Sequence, residues 1–313
     1  MSREVLRVTG LRGGDEEIGY VDVRGPADGP HVTVIAGVHG TEYTSIAAVR
    51  RLAAVLEREG TVVAGRVTAV PLVNPSAFWS RTPFVVPADG LNLNRSFPGR
   101  ADGSDAEVLA HHLVETFVVG ADALLDLHAG DLPEALEPFA LYEESPVEGA
   151  SRDLALAYGL GHVVRQSAAA RTVGGSTCAA AADLGVPAVV AESGQNGVLD
   201  PVAVDRHTTG LTNALRHLGV LAGEAVPGAA LAGRTASEHD GWHWLRTPVA
   251  GWWEAAVGTG AVVAEGDLLG TVSGLLGGVL HEVRAPEDGV PLFVTSSPAV
   301  LADGLLLGLA RGH

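Results

Sequence analysis

Residues 32–42, with the sequence VTVIAGVHGTE, decide the fold of this chain. The first part is an apolar run rich in β-branched residues, which predicts a buried strand of a parallel sheet. Gly37 and Gly40 then predict a tight turn, and the apolar positions after Glu42 fit one face of a helix. His39 and Glu42 therefore lie close together across a strand-to-helix turn. An imidazole and a carboxylate in this arrangement can bind one zinc ion, and a catalytic zinc site needs a further protein ligand.

Two other apolar runs end on side chains that can bind metal or carry a proton. The run DALLDLH ends on His128, and the run VPAVVAE ends on Glu192. Ligands of open α/β sheets bind at the carboxyl ends of the strands, so these two side chains are expected near His39 and Glu42. Taken singly, His128 could instead be a buried histidine bonded by Asp126, and Glu192 could be a cap or loop carboxylate. Their common position at strand ends favours a site.

The order of the remaining patterns indicates two domains. Residues 1–226 alternate between strand and helix signals, which predicts an α/β sheet with helices on both faces. Within it, residues 76–103 are predicted to form a long loop rich in Pro, Gly, Asn and Arg, and such loops are often functional. Ser104 and Glu107 form a capping box, and Asp200 before Pro201 predicts another helix start.

Residues 227–313 are predicted to form a C-terminal all-β domain of short strands and glycine turns. Residues 262–270 recur as residues 300–308, both with the pattern V-x-A-[E/D]-G-x-L-L-G. This repeat resembles the barrel-sandwich fold of biotinyl and lipoyl carrier domains, whose central turn presents a lysine. The chain contains no lysine, so a carrier function is excluded. We expect this domain to cap the active site without a catalytic residue of its own.

The composition excludes further classes of function. All 20 basic residues are arginine, so the chain has no P-loop lysine and no lysine for a pyridoxal Schiff base. A net charge of −17 argues against a nucleic-acid partner. No apolar run reaches the roughly 18 residues of a membrane helix, and the first residues lack a signal-peptide pattern. The single cysteine, Cys178, excludes an internal disulfide. These features predict a cytoplasmic protein, and a homo-oligomer is left open.

Four motifs together resemble the succinylglutamate desuccinylase/aspartoacylase family. They are G-x-H-G-x-E at residues 37–42, N-L-N-R-S-F-P-G at 92–99, D-L-H at 126–128 and A-E-S-G at 191–194, and they occur in the family's order. The resemblance implies a carboxypeptidase-like mixed sheet with helices on both faces and a C-terminal β domain. It also implies one zinc ion per chain and a small N-acylated substrate.

The resemblance assigns a role to individual residues. It implies that the zinc ligands are His39, Glu42 and His128 and that the catalytic base is Glu192. It further implies that Asn94 and Arg95 bind the substrate, and Arg81 is matched to a second substrate-binding arginine. The chain has Asn92 where the aspartoacylases read D-L-N-R. This departure argues against N-acetylaspartate as the substrate.

The leading hypothesis is therefore a zinc-dependent amidohydrolase that hydrolyses the linear amide of a small N-acyl amino acid or related amine. Zinc with three protein ligands polarises a carbonyl, and a nearby carboxylate can move the protons. A zinc carboxypeptidase that acts on peptides is an alternative, and so is a non-catalytic zinc-binding protein. Glu192 and Arg95 favour the enzyme, because holding a metal requires neither.

Overall fold

In the computed structural model of this protein, the described residues are 2–58, 60–167, 175–226 and 236–312. The first strands are β1 (Ser2–Val8), β2 (Glu16–Arg24), β3 (Ala27–Ala36), β4 (Ala64–Val70), β5 (Ala123–His128), β6 (Glu134–Leu136), β7 (Phe139–Glu143), β8 (His162–Gln166), β9 (Ala188–Glu192) and β10 (Ser237–Asp240). The helices are α1 (Tyr43–Leu56), α2 (Pro75–Ser80), α3 (Asp105–Leu113), α4 (Glu148–Tyr158), α5 (Thr177–Asp183) and α6 (Pro201–His217). A 3₁₀ turn (Leu93–Arg95) precedes α3, and a π-helical turn (Val114–Val118) follows it. None of the described helices has the length and hydrophobicity needed to cross a membrane.

A mixed sheet forms the centre of the molecule. In the described part of the chain its strand order is β1-β2-β4-β3-β5-β9-β7-β8-β10. The central strands β4, β3, β5 and β9 are parallel, and β7 pairs antiparallel with β9. The strands β3, β5 and β9 are therefore neighbours, and their carboxyl ends meet at one edge of the sheet.

Helices cover both faces of this sheet, as predicted. One core contains the apolar faces of α1, α4 and α6, with Leu52, Leu154 and Leu211 among its buried residues. The opposite core contains α3 and α5, and the lone cysteine, Cys178, is buried there. The predicted α/β fold class is confirmed, and the strands fully buried between two helical layers explain its near-continuous apolar runs.

The turn between β3 and α1 depends on two glycines. Gly37 has a φ of +71°, which side chains other than glycine rarely adopt. A Cβ atom on Gly40 would lie 2.2 Å from the backbone nitrogen of Phe78 in α2, so the backbones meet there. Glu42 is the N-cap residue of α1. Its side chain makes no capping hydrogen bond and turns towards His39 instead.

The region 76–103 is more ordered than the predicted loop. Its beginning belongs to α2, where Asn74 is the N-cap and Pro75 occupies the first turn. The Asn74 carboxamide accepts a hydrogen bond from the Ala77 N–H and donates one to the Val38 carbonyl. Asn followed by Pro is a helix-start signal, which the prediction of a loop over 76–103 did not take into account. The capping boxes and N-caps predicted at Ser104 and Asp200 are confirmed.

The last strands form two small antiparallel sheets. They are β11 (Trp242–Arg246), β12 (Gly251–Ala255), β13 (Leu268–Ser273), β14 (Val279–Arg284), β15 (Gly289–Thr295), β16 (Ala299–Val300) and β17 (Leu305–Arg311). One sheet has the order β11-β17-β15-β6 and the other β14-β13-β12-β16, and residues such as Leu269 and Leu307 share one core between them. The described C-terminal residues are all strand and turn, as predicted.

The predicted domain boundary at 226/227 borders residues 227–235, which lie outside the described residues, so this division stays a prediction. Hydrogen bonds link the two sides of it. The strand β10 extends the large sheet beside β8, and β6, which follows the end of β5, pairs with β15. The second pairing brings the C-terminal sheet next to the strand end that carries His128.

Candidate active site

Three buried side chains meet at the carboxyl edge of the central sheet. The Nδ1 atom of His39 lies 2.6 Å from Oε1 of Glu42, and the Nδ1 atom of His128 lies 2.9 Å from Oε2 of the same carboxylate. One potential ligand atom from each of the three residues lies within 4.8 Å of the others. Two imidazole nitrogens and one carboxylate oxygen are a donor set that zinc accepts, and with three protein ligands a position stays open for water or substrate.

The outer nitrogen of each imidazole is also held. Nε2 of His39 lies 3.2 Å from the Asn92 carboxamide oxygen, and Nε2 of His128 lies 3.1 Å from Asp126. Thr177 donates a hydrogen bond to the same Asp126 carboxylate. Without an ion, the short Nδ1 contacts require each imidazole to donate from Nδ1 to the Glu42 carboxylate. With an ion at the centre, Nδ1 would lose this proton and offer its lone pair, while the outward contacts would hold the proton on Nε2.

The charges of this cluster are mutually stabilised. Burial opposes ionisation of Glu42, yet His128 and His39 lower its pKa to about 2. Burial also opposes protonation of His128, but Asp126 and Glu42 raise the pKa of its imidazole well above the usual value. A buried carboxylate between two imidazoles is thus held in its ionised form, which is the form that binds a metal.

Glu192 lies directly beside this cluster. In the parallel pairing of β5 with β9, Glu192 is the register partner of His128. Burial raises the pKa of Glu192 well above its ordinary value, although His128 opposes the rise. Its Oε2 atom is buried and has no hydrogen-bond partner within the described structure. Buried polar atoms are nearly always satisfied, so this oxygen indicates a place for water or a bound group.

Two further carboxyl groups shape the loop after β5. Asp131 is buried, accepts hydrogen bonds from the Thr41 hydroxyl and the Phe84 N–H, and so ties this loop to two other loops of the site. Glu134 accepts a hydrogen bond from the Asp131 N–H. Burial raises the pKa of Glu134 to about 7, and the hydrogen bond from Asp131 only partly opposes this.

The Glu134 carboxyl predicts a pH-dependent loss of stability. The pKa of the Glu134 carboxyl is 4.5 in the unfolded chain and about 7 in the folded protein. Between these pH values the folded state binds more protons than the unfolded state, so the free energy of unfolding falls as pH rises. Glu134→Gln should therefore become more stable relative to the wild type between about pH 5 and pH 8, by about 1–3 kcal/mol. Denaturant unfolding of the metal-free proteins measures this difference. Glu254→Gln, at an exposed position, is the control, and a constant difference for Glu134→Gln would contradict the assignment.

His207 supports the same edge from α6. Its ring is buried, Nε2 lies 3.0 Å from the His128 carbonyl and 3.1 Å from the Ser193 carbonyl, and Tyr158 bonds its Nδ1 at 2.8 Å. Burial lowers the pKa of His207 to about 4, so the ring is neutral and donates from Nε2. It joins the ends of β5 and β9 and thereby fixes the spacing between His128 and Glu192.

These residues lie at the base of a cavity of about 930 Å³. Asn94 and Arg95, from the 3₁₀ turn before α3, line it together with His39, Glu42, His128 and Glu192, and their role in substrate binding stays a prediction. The Asn94 carboxamide oxygen accepts a hydrogen bond from the Thr177 N–H, which fixes the turn against α5. The structure does not bring Arg81 to this cavity. Arg81 is exposed at the end of α2, where it caps the helix in a left-handed conformation.

Several residues of the site were assigned no role from the sequence. Asp126 was named only as an alternative partner of His128, and the Asn92 contact with His39 is of the kind that metal-binding histidines make. The partners of His207 are two backbone carbonyls and the Tyr158 hydroxyl, which no residue spacing indicates. The C-terminal sheets also contribute to the cavity wall, including Trp242, Trp244 and Arg246. Their alternation along the strand indicates a common face, but the sequence does not show that this face meets the active site.

Comparisons with known proteins agree with this geometry. Residues 28–218 match a family model described as the succinylglutamate desuccinylase/aspartoacylase catalytic domain. The chain is 31% identical over 271 residues to an N-alpha-acetyl-L-2,4-diaminobutyric acid deacetylase of Halomonas elongata, covering 84% of this chain and 77% of the relative.

Solved structures resemble the whole chain. A succinylglutamate desuccinylase/aspartoacylase from Rhodobacter sphaeroides has a TM-score of 0.87 at 25% identity and covers 100% of this chain and 95% of its own. The product-bound ectoine utilization protein EutE (DoeB) from Ruegeria pomeroyi has a TM-score of 0.87 at 26% identity, with 99% and 95% covered. The likeness therefore includes the C-terminal sheets as well as the residues that the family model matches.

Proposed function

Because the chain belongs to the succinylglutamate desuccinylase/aspartoacylase family, we propose that it is a zinc-dependent deacylase that hydrolyses the amide bond of a small N-acyl amino acid. One ion per chain is bound by His39, Glu42 and His128, and Glu192 is the general base. The observation that carries the proposal is the juxtaposition of a buried N, N, O ligand set with the unpartnered Oε2 atom of Glu192.

The residues present fit zinc in both number and chemistry. Each imidazole turns Nδ1 towards Glu42 and has its outer nitrogen held by Asn92 or Asp126, which is the second layer that metal-binding histidines require. When bound, zinc supplies Lewis-acid polarisation of the amide carbonyl and lowers the pKa of water at its open position to about 7.

Glu192 carries the proton transfers in this proposal. A carboxylate whose pKa is raised by burial accepts a proton from the attacking water at a lower cost than an exposed one. As the amide bond breaks, the same carboxyl donates the proton to the departing amine. The amine leaves neutral, and Glu192 returns to its ionised form. His207 positions this base by bonding the backbone of both strand ends.

The substrate is oriented by its carboxylate. Arg95 donates one hydrogen bond to the Asn94 carbonyl, and no described carboxylate pairs with it, so its other N–H groups are open to the cavity. A guanidinium suits bidentate recognition of a carboxylate. Because the Halomonas elongata relative is named for an Nα-acetylated diamino acid, Nα-acetyl-L-2,4-diaminobutyrate is the first substrate to test. The cavity also contains Glu134 and Glu143, which suit an ammonium group.

A metal analysis and a substrate screen test the proposal together. We expect about one equivalent of zinc in protein purified without added metal, with the highest kcat/KM on N-acetyl, N-succinyl or N-formyl amino acids. The screen measures amine release from these compounds and from a ladder of peptides. Faster release of terminal residues from peptides would favour the carboxypeptidase alternative. Bound zinc without turnover of any compound would favour the non-catalytic alternative.

The proposal also covers the C-terminal sheets, the cellular location and the oligomeric state. Residues 242–246 and 293–305 contribute to the cavity wall, which supports a capping role for the C-terminal sheets and favours small substrates over long peptides. A cytoplasmic location is expected from the sequence, and a homo-oligomer is left open.

A further inference from the structure

The C-terminal strand β11 contributes three side chains to the wall of the cavity that contains His39, Glu42 and His128. Its side chains alternate, so Trp242, Trp244 and Arg246 face the cavity, while Leu245 packs against the core of the C-terminal sheets. The pairing of β11 with β17 skips a residue of β17 between Leu245 and Arg246, where Arg246 meets Leu305. This irregularity lies where the strand reaches the cavity, and such bulges often redirect a side chain.

Arg246 is anchored and yet lacks a counter-ion. Its Nη1 donates a 2.7 Å hydrogen bond to the Asp303 carbonyl, which leaves most of its N–H groups free. Arg95 has the same arrangement, with one 2.7 Å bond to the Asn94 carbonyl. Neither guanidinium has a carboxylate partner within salt-bridge distance among the described residues. Arg95 and Arg246 are the two arginines in the described lining of this cavity.

The two guanidinium groups act on each other across the cavity. Burial lowers the pKa of Arg95, the charge of Glu134 opposes this, and the charge of Arg246 lowers the pKa by a smaller effect. Glu134 lines the same cavity but accepts the Asp131 N–H and forms no salt bridge with either arginine among the described residues, so two cationic groups there are left without a directly bonded anion. An arrangement of this kind is relieved when an anion binds between the two groups.

We propose that Arg246 is a specificity-determining residue that binds the substrate carboxylate jointly with Arg95. The C-terminal sheet then completes the substrate site with a binding residue, which is compatible with the expectation that this segment carries no catalytic residue. The inference rests on the proposed function for the identity of the substrate. In the proposed arrangement the substrate carboxylate lies between Arg95 and Arg246, and the acyl group lies towards His39, Glu42 and His128.

Binding measurements test this role apart from turnover. The ligands are the Nα-acetyl diamino acid of the screen and the same compound with its carboxylate converted to a primary carboxamide. They are titrated calorimetrically into zinc-loaded Glu192→Gln protein that has Arg246 or carries Arg246→Ala. With Arg246 present, we expect the carboxylate to bind about 10–100-fold more tightly than the carboxamide, and Arg246→Ala should remove most of this ratio. Arg246→Lys should restore part of it, because an ammonium keeps the charge without the bidentate geometry.

Arg284→Ala is the matched control. Arg284 is also an arginine of the C-terminal sheets that donates to a backbone carbonyl, that of Gly266, but it does not line the cavity. It should leave the ratio unchanged. An unchanged ratio in Arg246→Ala, or no preference for the carboxylate when Arg246 is present, would overturn the proposal. If the preference follows Arg246 but no N-acyl compound is hydrolysed by the wild type, the proposed reaction fails while the carboxylate site stands.

Discussion

Glu192→Gln should lower kcat by about 10²–10⁴ while the protein keeps its metal and its fold. The carboxamide has nearly the same shape as the carboxyl group, but it cannot accept a proton from water. This decrease in kcat corresponds to an activation free energy that is higher by about 3–5 kcal/mol. Because Arg95 lies elsewhere in the cavity, KM should change much less than kcat.

Three measurements on one preparation check this prediction: zinc content, thermal unfolding and steady-state kinetics on the best substrate. Glu115→Gln is the control, since this glutamate is exposed after α3 and makes the same change of charge. If Glu192→Gln keeps more than about a tenth of the wild-type kcat, Glu192 is not the base. If it loses zinc, Glu192 is a fourth ligand and the site has no open position.

His39→Ala should lose both metal and activity. Removal of this imidazole leaves Glu42 and His128 as the protein ligands of the ion, and two ligands hold zinc poorly. Changes in the second layer of a metal site typically weaken binding about 10–100-fold, and loss of a direct ligand should exceed that. Asn92→Ala removes the contact that orients His39, so its zinc affinity should lie between those of His39→Ala and the wild type.

Zinc affinity is measured by competition with a chelator, and activity is measured before and after zinc is added. His217→Ala is the matched control, because His217 is exposed at the end of α6 and does not belong to the cluster. Full zinc binding by His39→Ala would show that the ion is held elsewhere. Loss of activity with zinc retained would instead make His39 a catalytic group and not a ligand.

The local signals of the sequence were sufficient for the elements and for the candidate metal ligands. A β-branched run followed by Gly37 and Gly40 has few conformations available, and these carry His39 and Glu42 to the same point. The strands that end on His128 and Glu192 could also be predicted, because a fully buried strand must be apolar along its length. The fold class followed from the alternation of strand and helix signals.

The predicted loop 76–103 was longer than the one observed. Asn74 caps α2 and Pro75 occupies its first turn, so the start of the predicted loop is helical. Arg81 was matched to a substrate-binding arginine by the family resemblance. It caps α2 in a left-handed conformation and is not among the residues that line the cavity, and its role stays a prediction.

The sequence by itself determined which strands end on chemically active residues, because hydrophobic periodicity and turn residues act over a few positions. The tertiary structure alone decided which of those ends are neighbours. The order β3-β5-β9 places His128 beside Glu192, and His207 reaches the carbonyls of His128 and Ser193 from a helix far along the chain. It also decided that Arg246 and Arg95 line the same cavity, since the C-terminal sheet is joined to the end of β5 through the pairing of β6 with β15. Such arrangements depend on how distant segments pack together, and this packing produces no periodic pattern in the sequence.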